Sequence, residues 1–413
     1  MNSFTINNRT YLLPACPLVG ICVDGSADEY FDAAIARRLM PNLQRISVRG
    51  YRGMARGQMP SFTNVNNASI VTGVPPSVHG IGGNFFYDKT SGEEVMTNSS
   101  KFLRVQTMFP SAQKAGRKVA VITAKDKLRD IFGSGLIELG GIAFSSEKAN
   151  QVTKAVHGIE DVEALAGPTP PIYSGEASLY VLKAGVKLIE HGRADFLYLS
   201  TTDFMQHKYA PEAPEALDFY AGIDEQIGRL LQLGARVGVT ADHGMNAKQK
   251  ADGSPNVTYL ESTLETKFGP GFRVILPITD PYVVHHGALG SFAQVHLPPG
   301  REALLSEVIN FIRALPGITE VLDQATAARL MQLPPDRMGD LVVCSGRDAV
   351  IGRTPAWHDL KVLEGGLRSH GGRYEEMVPF ILSEPLNSEY AGKAKADPRN
   401  FDLFDFICNG AQS

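Results

Sequence analysis

Four segments of the 413-residue chain place aspartate, histidine or lysine where an apolar run stops. LVGICVDGS (18–26) reaches Asp24, KVAVITAKDK (118–127) reaches Lys125 and Lys127, ADFLYLSTTD (194–203) reaches Asp203, and ARVGVTADHG (235–244) reaches Asp242 and His243. His207 follows Asp203 by four residues, a spacing that puts both side chains on one face of a helical turn. His370 lies in a glycine-flanked loop, LRSHGGRYEE, that enters the apolar run MVPFIL. Mixed carboxylate and imidazole ligation suits zinc, and manganese and iron are also compatible with these ligand types. Each residue alone has a plainer reading, because an aspartate at a strand end is most often a helix cap and a histidine beside glycine a turn residue. Four run ends that all offer Asp or His are hard to produce by capping alone, and a joint metal centre is the stronger reading.

The segment GQMPSFTNVNNASIVTGVPPSVHGIGGNFFYD (57–88) carries a Pro-Ser-Phe-Thr turn into a small-residue helix start. A threonine hydroxyl at a helix N-terminus beside cations is suited to attack phosphorus, since metal coordination lowers its pKa and the helix amides favour an incoming anion. On the plainer reading Thr63 is only an N-cap. Lys125 and Lys127 lie at i and i+2 where a strand ends, so both ammonium groups can address one small anion. A second anionic group beside a phosphoryl, such as a carboxylate, needs that arrangement; otherwise they are two solvated lysines in a loop.

The elements that must position these residues follow from the same runs. Continuous Val/Ile/Leu segments, without strict alternation, fit strands buried on both faces of a mostly parallel sheet. Between them lie amphipathic helical segments at 27–46, 104–116, 174–192 and 213–234. This alternation predicts an α/β, doubly wound core, in which ligands gather at the carboxyl ends of the strands. Residues 251–366 change rhythm: FRVILPI, SFAQVHL, ITEVLD and GDLVVCS read as strands, with REALLSEVINFIRAL and ATAARLM as helices. The expected organisation is a core of residues 1–250 and 367–413 interrupted by a small α+β cap at 251–366.

Composition narrows the class further. Lys+Arg 40 against Asp+Glu 44 gives a net charge of −4, which argues against nucleic-acid binding through bulk charge. Cys16, Cys22, Cys344 and Cys408 form no CxxC pair, so a reducing compartment is the simpler expectation. The first residues, MNSFTINNRTYLLP, have no charged start followed by an apolar stretch, and no apolar run approaches the ~20 residues of a membrane span. The expectation is a soluble cytoplasmic protein without a membrane partner.

At this point the ordered set VDGS, PSFTNVNNASIVTG, HGIGGNFFYD, DFMQH, ADHGM and SHGGRYEEMVPFIL resembles the alkaline phosphatase superfamily, in its nucleotide pyrophosphatase/phosphodiesterase-like branch. ADHGM alone is moderately specific; the ordered set, running from residue 18 to 384, is very specific. Within that branch the chain is most similar to the hydrolases that cleave the carbon–phosphorus bond of phosphonoacetate to acetate and phosphate. The resemblance implies two Zn2+ ions, one bound by Asp203, His207 and His370, the other by Asp24, Asp242, His243 and the Thr63 oxygen. It implies that Thr63 is the nucleophile of a phosphothreonine intermediate and that Asn84 hydrogen-bonds a phosphoryl oxygen. It also implies that Lys125 and Lys127 hold the substrate carboxylate, that His207 borders the substrate, and that the partner is a small anionic phosphonate, with a homodimer as the candidate assembly. His79 matches no ligand position and reads as structural. One departure stands out: many diesterases of this branch have Pro-Asn-His after the nucleophile turn, where this chain has Val65-Asn66-Asn67.

Neighbouring reactions are separable on the same residues. No C/S-x-P-x-R turn occupies the Thr63 position, which sets sulfatases aside, and a threonine in place of serine argues against the cofactor-independent phosphoglycerate mutases. A nucleotide diesterase shares every metal position and stays open as the alternative. So does a non-catalytic phosphonate-binding protein, although a sensor has no need of a nucleophile.

Overall fold

The expected alternation of strand and helix is realised around a seven-stranded sheet. The structure is a computed structural model that describes residues 2–282, 286–363 and 366–412. Eleven strands position the site: β1 (Leu18–Cys22), β2 (Tyr51–Arg56), β3 (Val119–Thr123), β4 (Ile142–Ser145), β5 (Phe196–Ser200), β6 (Arg236–Thr240), β7 (Arg273–Ile275), β8 (Phe292–His296), β9 (Ile318–Asp323), β10 (Leu341–Ser345) and β11 (Met377–Leu382). The large sheet runs β2-β11-β6-β1-β5-β3-β4. From β4 to β6 all neighbours are parallel, whereas β11 pairs antiparallel with both β6 and β2. The four strand ends that carry the chemistry, those of β3, β5, β1 and β6, are therefore immediate neighbours on one edge of the sheet.

The sheet is buried on both faces. Val19, Ile21, Ala120, Ile122, Leu197, Leu199, Val237 and Val239 point into one apolar core, while Leu18, Cys22, Val119, Val121, Phe196 and Tyr198 point into the other. Helices Asp28–Ala36, Pro41–Arg49, Gly175–Glu190 and Pro214–Gln232 cover the first face, and Met108–Lys114, Asp126–Phe132 and Leu403–Asn409 the second. Each fully buried aliphatic side chain contributes roughly 1.5–3 kcal/mol, so these strand ends leave a rigid platform. The segment read as one helix over 27–46 is two helices: Arg38 adopts a left-handed φ of 61°, and Pro41 begins the second helix, where its missing N–H costs nothing.

The segment expected to form the cap folds as the antiparallel sheet β7-β8-β10-β9, with helices Leu305–Arg313 and Gln324–Met331 packed on it. Its apolar core is not self-contained. Met59, Phe62 and Val65, which flank Thr63, are buried in the same cluster as Val274, Phe292 and Leu341. The turn that carries Thr63 is thus packed by residues of the 251–366 segment. Residues 283–285 and 364–365, inside the span expected to be cap, lie outside the described residues. Among the described residues no helix is long and apolar enough to cross a membrane. All four cysteines are free thiols.

Candidate active site

The six expected Asp/His ligands fall into two buried groups, Asp203 with His207 and His370, and Asp24 with Asp242 and His243; within each, the ligand atoms lie within 4.8 Å of one another. Asp24 follows β1, and Asp242 and His243 follow β6. Asp203 immediately precedes the short helix Phe204–Lys208, so His207 lies one turn on and its Nε2 is 2.9 Å from Asp203 Oδ2. The rings of His243 and His370 stack with centroids 3.5 Å apart and 5° between planes, which brings the two groups together. Two glycines make the approach feasible. Gly25 has a φ of 72°, and a Cβ there would come within 2.9 Å of Asp203 Cβ; Gly371, with a φ of 116°, would press a Cβ into the ring of Phe62.

All three histidines are oriented by a backbone carbonyl. His207 Nδ1 lies 2.7 Å from Arg368 O, His370 Nδ1 2.7 Å from Ser61 O, and His243 Nδ1 2.9 Å from Gly244 O. A carbonyl only accepts, so each Nδ1 carries a hydrogen, which leaves Nε2 as the nitrogen each ring can offer a metal once it is deprotonated. Asp242 is held likewise: Oδ1 accepts from the Gly25 and His243 amides, and Oδ2 from Asn67 Nδ2 at 3.0 Å. Asn67 Oδ1 in turn accepts from Tyr198 OH and Ser200 Oγ.

The charges are strongly coupled. Burial, then repulsion from Asp203 and Asp242, pushes the Asp24 carboxyl up to about 7. Burial disfavours a charged His243, yet Asp242, Asp24 and Asp203 prevail and raise it to about 9. Burial together with His243 and His207 holds His370 well below its ordinary value. Three carboxylates enclosed away from water need compensating positive charge, from protons or from cations. Two carboxylates and one imidazole in one group, one carboxylate and two imidazoles in the other, are donor sets that fit zinc.

Thr63 is the first residue of the helix Thr63–Thr72, is 2% exposed, and its Oγ1 lies 3.4 Å from His243 Nε2. It therefore stands beside the Asp24 group at a helix N-terminus. Asn84 Oδ1 accepts from the Asn64 amide, and Asn84 Nδ2 donates to Asp280 Oδ2 at 3.3 Å. Lys125 is buried, and the Lys127 side chain is 7% exposed. Lys125 Nζ is 3.1 Å from Asp203 Oδ1 and 3.5 Å from Asp24 Oδ2, and Lys127 Nζ is 3.0 Å from Asp280 Oδ2. Burial opposes the charge on Lys125, but Asp203 and Asp24 raise its pKa well above the ordinary value.

The lysines do not converge by strand alternation. A helix begins at Asp126, so Lys125 is its N-cap and Lys127 lies in its first turn, while Asp126 turns away to Arg129 and Lys148. They meet instead at Tyr282, whose ring centre is 5.6 Å from each ammonium. His79 stands apart from the chemistry: its Nδ1 accepts from the Ile81 amide, its Nε2 pairs with Ser69 Oγ at 2.8 Å, and burial lowers its pKa to about 3.

Several residues had no readable signal. Asp280 and Tyr282 come from a cap turn, TDPY, whose composition says only turn. His286, also from the cap, lies buried with its ring 5.2 Å from that of His207. Asn66 and Asn67 were visible only as a departure from a family pattern. Asn67 supports Asp242, and Asn66 pins the turn that leads into Thr63 by accepting from the Gln58 amide at 2.6 Å and from Asn400 Nδ2 at 2.9 Å.

Two adjoining Asp/His groups at the carboxyl ends of parallel strands, with a helix-terminal hydroxyl beside them, describe a phosphoesterase. Residues 18–372 match the type I phosphodiesterase/nucleotide pyrophosphatase family, and the chain belongs to it as an enzyme of the phosphoesterase class. Among solved structures it is similar to phosphonoacetate hydrolase from Sinorhizobium meliloti 1021, in complex with phosphonoformate and in complex with phosphonoacetate. In both cases identity is 48%, the match covers 99% of each chain, and the TM-score is 0.93. Murine ectonucleotide pyrophosphatase/phosphodiesterase 5 shares the fold at 16% identity and a TM-score of 0.62, over 95% of this chain and 94% of that one.

Proposed function

We propose that the chain hydrolyses phosphonoacetate to acetate and phosphate by covalent catalysis at Thr63. Asp203, His207 and His370 would hold one divalent cation, and Asp24, Asp242, His243 and Thr63 Oγ1 a second, with zinc the expected metal. When bound, such a pair supplies Lewis acidity that neutralises the phosphonate oxygens and favours the ionised hydroxyl. Thr63 Oγ1 attacks phosphorus opposite the carbon, and the electron pair of the breaking P–C bond passes to the methylene carbon and on into its carboxylate as an enolate. Lys125 and Lys127 hold that carboxylate and stabilise the charge it gains, and Asn84 Nδ2 donates to a phosphoryl oxygen. The enolate takes a proton to become acetate, and water then cleaves the phosphothreonine to phosphate and free Thr63. On the same reading residues 1–250 and 367–413 form the catalytic core and residues 251–366 the cap.

The observation that carries this reading is the pair of enclosed lysine side chains, Lys125 against Asp203 and Asp24 and Lys127 against Asp280, where a phosphodiester has no second anion to offer them. The relative solved with phosphonoacetate supports it. The test is phosphate release by metal-replete protein from phosphonoacetate, methylphosphonate and an aryl phosphodiester. Phosphonoacetate is expected to react and methylphosphonate, whose carbanion has nowhere to delocalise, to be inert. Efficient diester cleavage with no action on phosphonoacetate would move the protein to the diesterase reading.

A further inference from the structure

The groups assigned to the two ends of the substrate are joined by one carboxylate that belongs to neither. Asp280 Oδ2 accepts from Lys127 Nζ at 3.0 Å and from Asn84 Nδ2 at 3.3 Å, while Asp280 Oδ1 accepts from the Tyr282 amide at 2.6 Å. Asp280 is 6% exposed and comes from the cap, whereas Lys127 and Asn84 come from the core. The same cap turn makes two further contacts. Pro277 O accepts from the Asn84 amide at 2.8 Å, and the Tyr282 ring lies against both Lys125 and Lys127 while its hydroxyl donates to Glu147 at 2.6 Å.

We propose that Asp280 is the positioning residue that sets the separation between the phosphoryl-reading Asn84 and the carboxylate-reading Lys127, and so selects phosphonates with a carboxylate one carbon from phosphorus. This rests on the proposed phosphonoacetate reaction. Asn84 has two amide hydrogens and one carbonyl oxygen. The oxygen is committed to the Asn64 amide and one hydrogen to Asp280, so a single N–H, in a fixed direction, remains for a phosphoryl oxygen. Lys127 has three ammonium hydrogens, and pinning one on the same oxygen constrains where the others can meet a carboxylate. A lysine on a flexible four-carbon stem would otherwise follow anions of several lengths. The shared oxygen turns two independent contacts into one ruler, and its precision comes from the fixed hydrogen bonds that hold Asp280 itself.

The experiment measures kcat and KM separately for phosphonoacetate and for an aryl phosphodiester lacking a carboxylate, in metal-replete wild type, Asp280→Ala and Asp280→Asn. Asp280→Ala is expected to lower kcat/KM for phosphonoacetate at least tenfold, with most of the loss in KM, while changing diester turnover less than twofold. Asp280→Asn, which keeps an acceptor oxygen for Lys127 and Asn84, is expected to recover at least half of the loss on a logarithmic scale. Equal losses on both substrates would make Asp280 a merely structural residue and overturn the inference. A fall in the KM for phosphonoacetate in Asp280→Ala would also overturn it, by showing that the carboxylate competes with substrate. A wild type that releases no phosphate from phosphonoacetate fails the parent reading, and this inference with it, before any variant is compared.

Discussion

The two walls of the site are built differently. On the core wall, Asp24, Asp203, Asp242 and His243 stand on or just beyond the ends of buried parallel strands, and each imidazole is fixed by a backbone carbonyl. On the facing wall, Lys127, Asn84, Asp280 and Tyr282 are joined to one another through side chains, with backbone amides holding Asn84 Oδ1 and Asp280 Oδ1. Backbone contacts fix geometry whatever the neighbouring side chains are, whereas a side-chain network depends on every member being present. On the proposed reaction the difference amounts to a division of labour, with the core wall supplying the phosphoryl chemistry and the facing wall the choice of substrate.

The sharpest break in that comparison is Thr63→Ala. The fold and at least one metal should persist, because the side chain is small and the helix amides remain, yet phosphate release from every substrate should fall to background. Thr63→Ser should retain measurable turnover, since the hydroxyl survives. Next comes the metal wall: chelation should abolish turnover of phosphonoacetate and diester alike, and His370→Ala should chiefly lower the metal content of the group it shares with Asp203 and His207, read by elemental analysis. On the recognition wall, Lys125→Ala or Lys127→Ala should cost roughly ten- to a hundredfold on phosphonoacetate, from the ~1.5–3 kcal/mol of a buried charge-assisted contact, and far less on a diester. Equal losses would erase the division of labour.

The smallest expected effect concerns the scaffold of the core wall. Burial keeps His79 neutral in the folded chain, with its pKa lowered from 6.5 to about 3. The unfolded chain therefore binds the extra proton first, and the stability this histidine contributes is complete above pH 6.5 and is lost as pH falls toward 3. Between pH 7 and pH 5 the stability advantage of wild type over His79→Gln should shrink by about 2 kcal/mol, read from denaturant midpoints. A constant difference would mean that His79 titrates alike in the folded and the unfolded chain.

The core wall was largely legible in the amino-acid sequence, and the reason is physical. Strands buried on both faces must be unbroken apolar runs, so the polar residues that end them stand out, as Asp24, Asp203 and Asp242 do. The Asp203/His207 pair was legible because helical spacing fixes which side chains meet. The cap-facing wall was legible only in its lysines. Their convergence depends on a helix that starts at Asp126 and on Tyr282, which arrives from more than a hundred residues away in the chain. Nothing local marks Asp280 as the partner of Lys127, since an Asp-Pro pair announces a turn wherever it occurs. The division of the 27–46 helix at Pro41 was readable in principle, because proline marks a helix start.

The account stands most directly on what becomes of Thr63 during turnover. Metal-replete enzyme mixed with phosphonoacetate, quenched in acid within a few turnovers and digested, can be read by mass spectrometry over the peptide that contains Thr63. The account predicts one added phosphoryl group on Thr63, absent when methylphosphonate replaces the substrate. An unmodified peptide, together with near wild-type phosphate release by Thr63→Ala, would show that water attacks phosphorus directly and would contradict it.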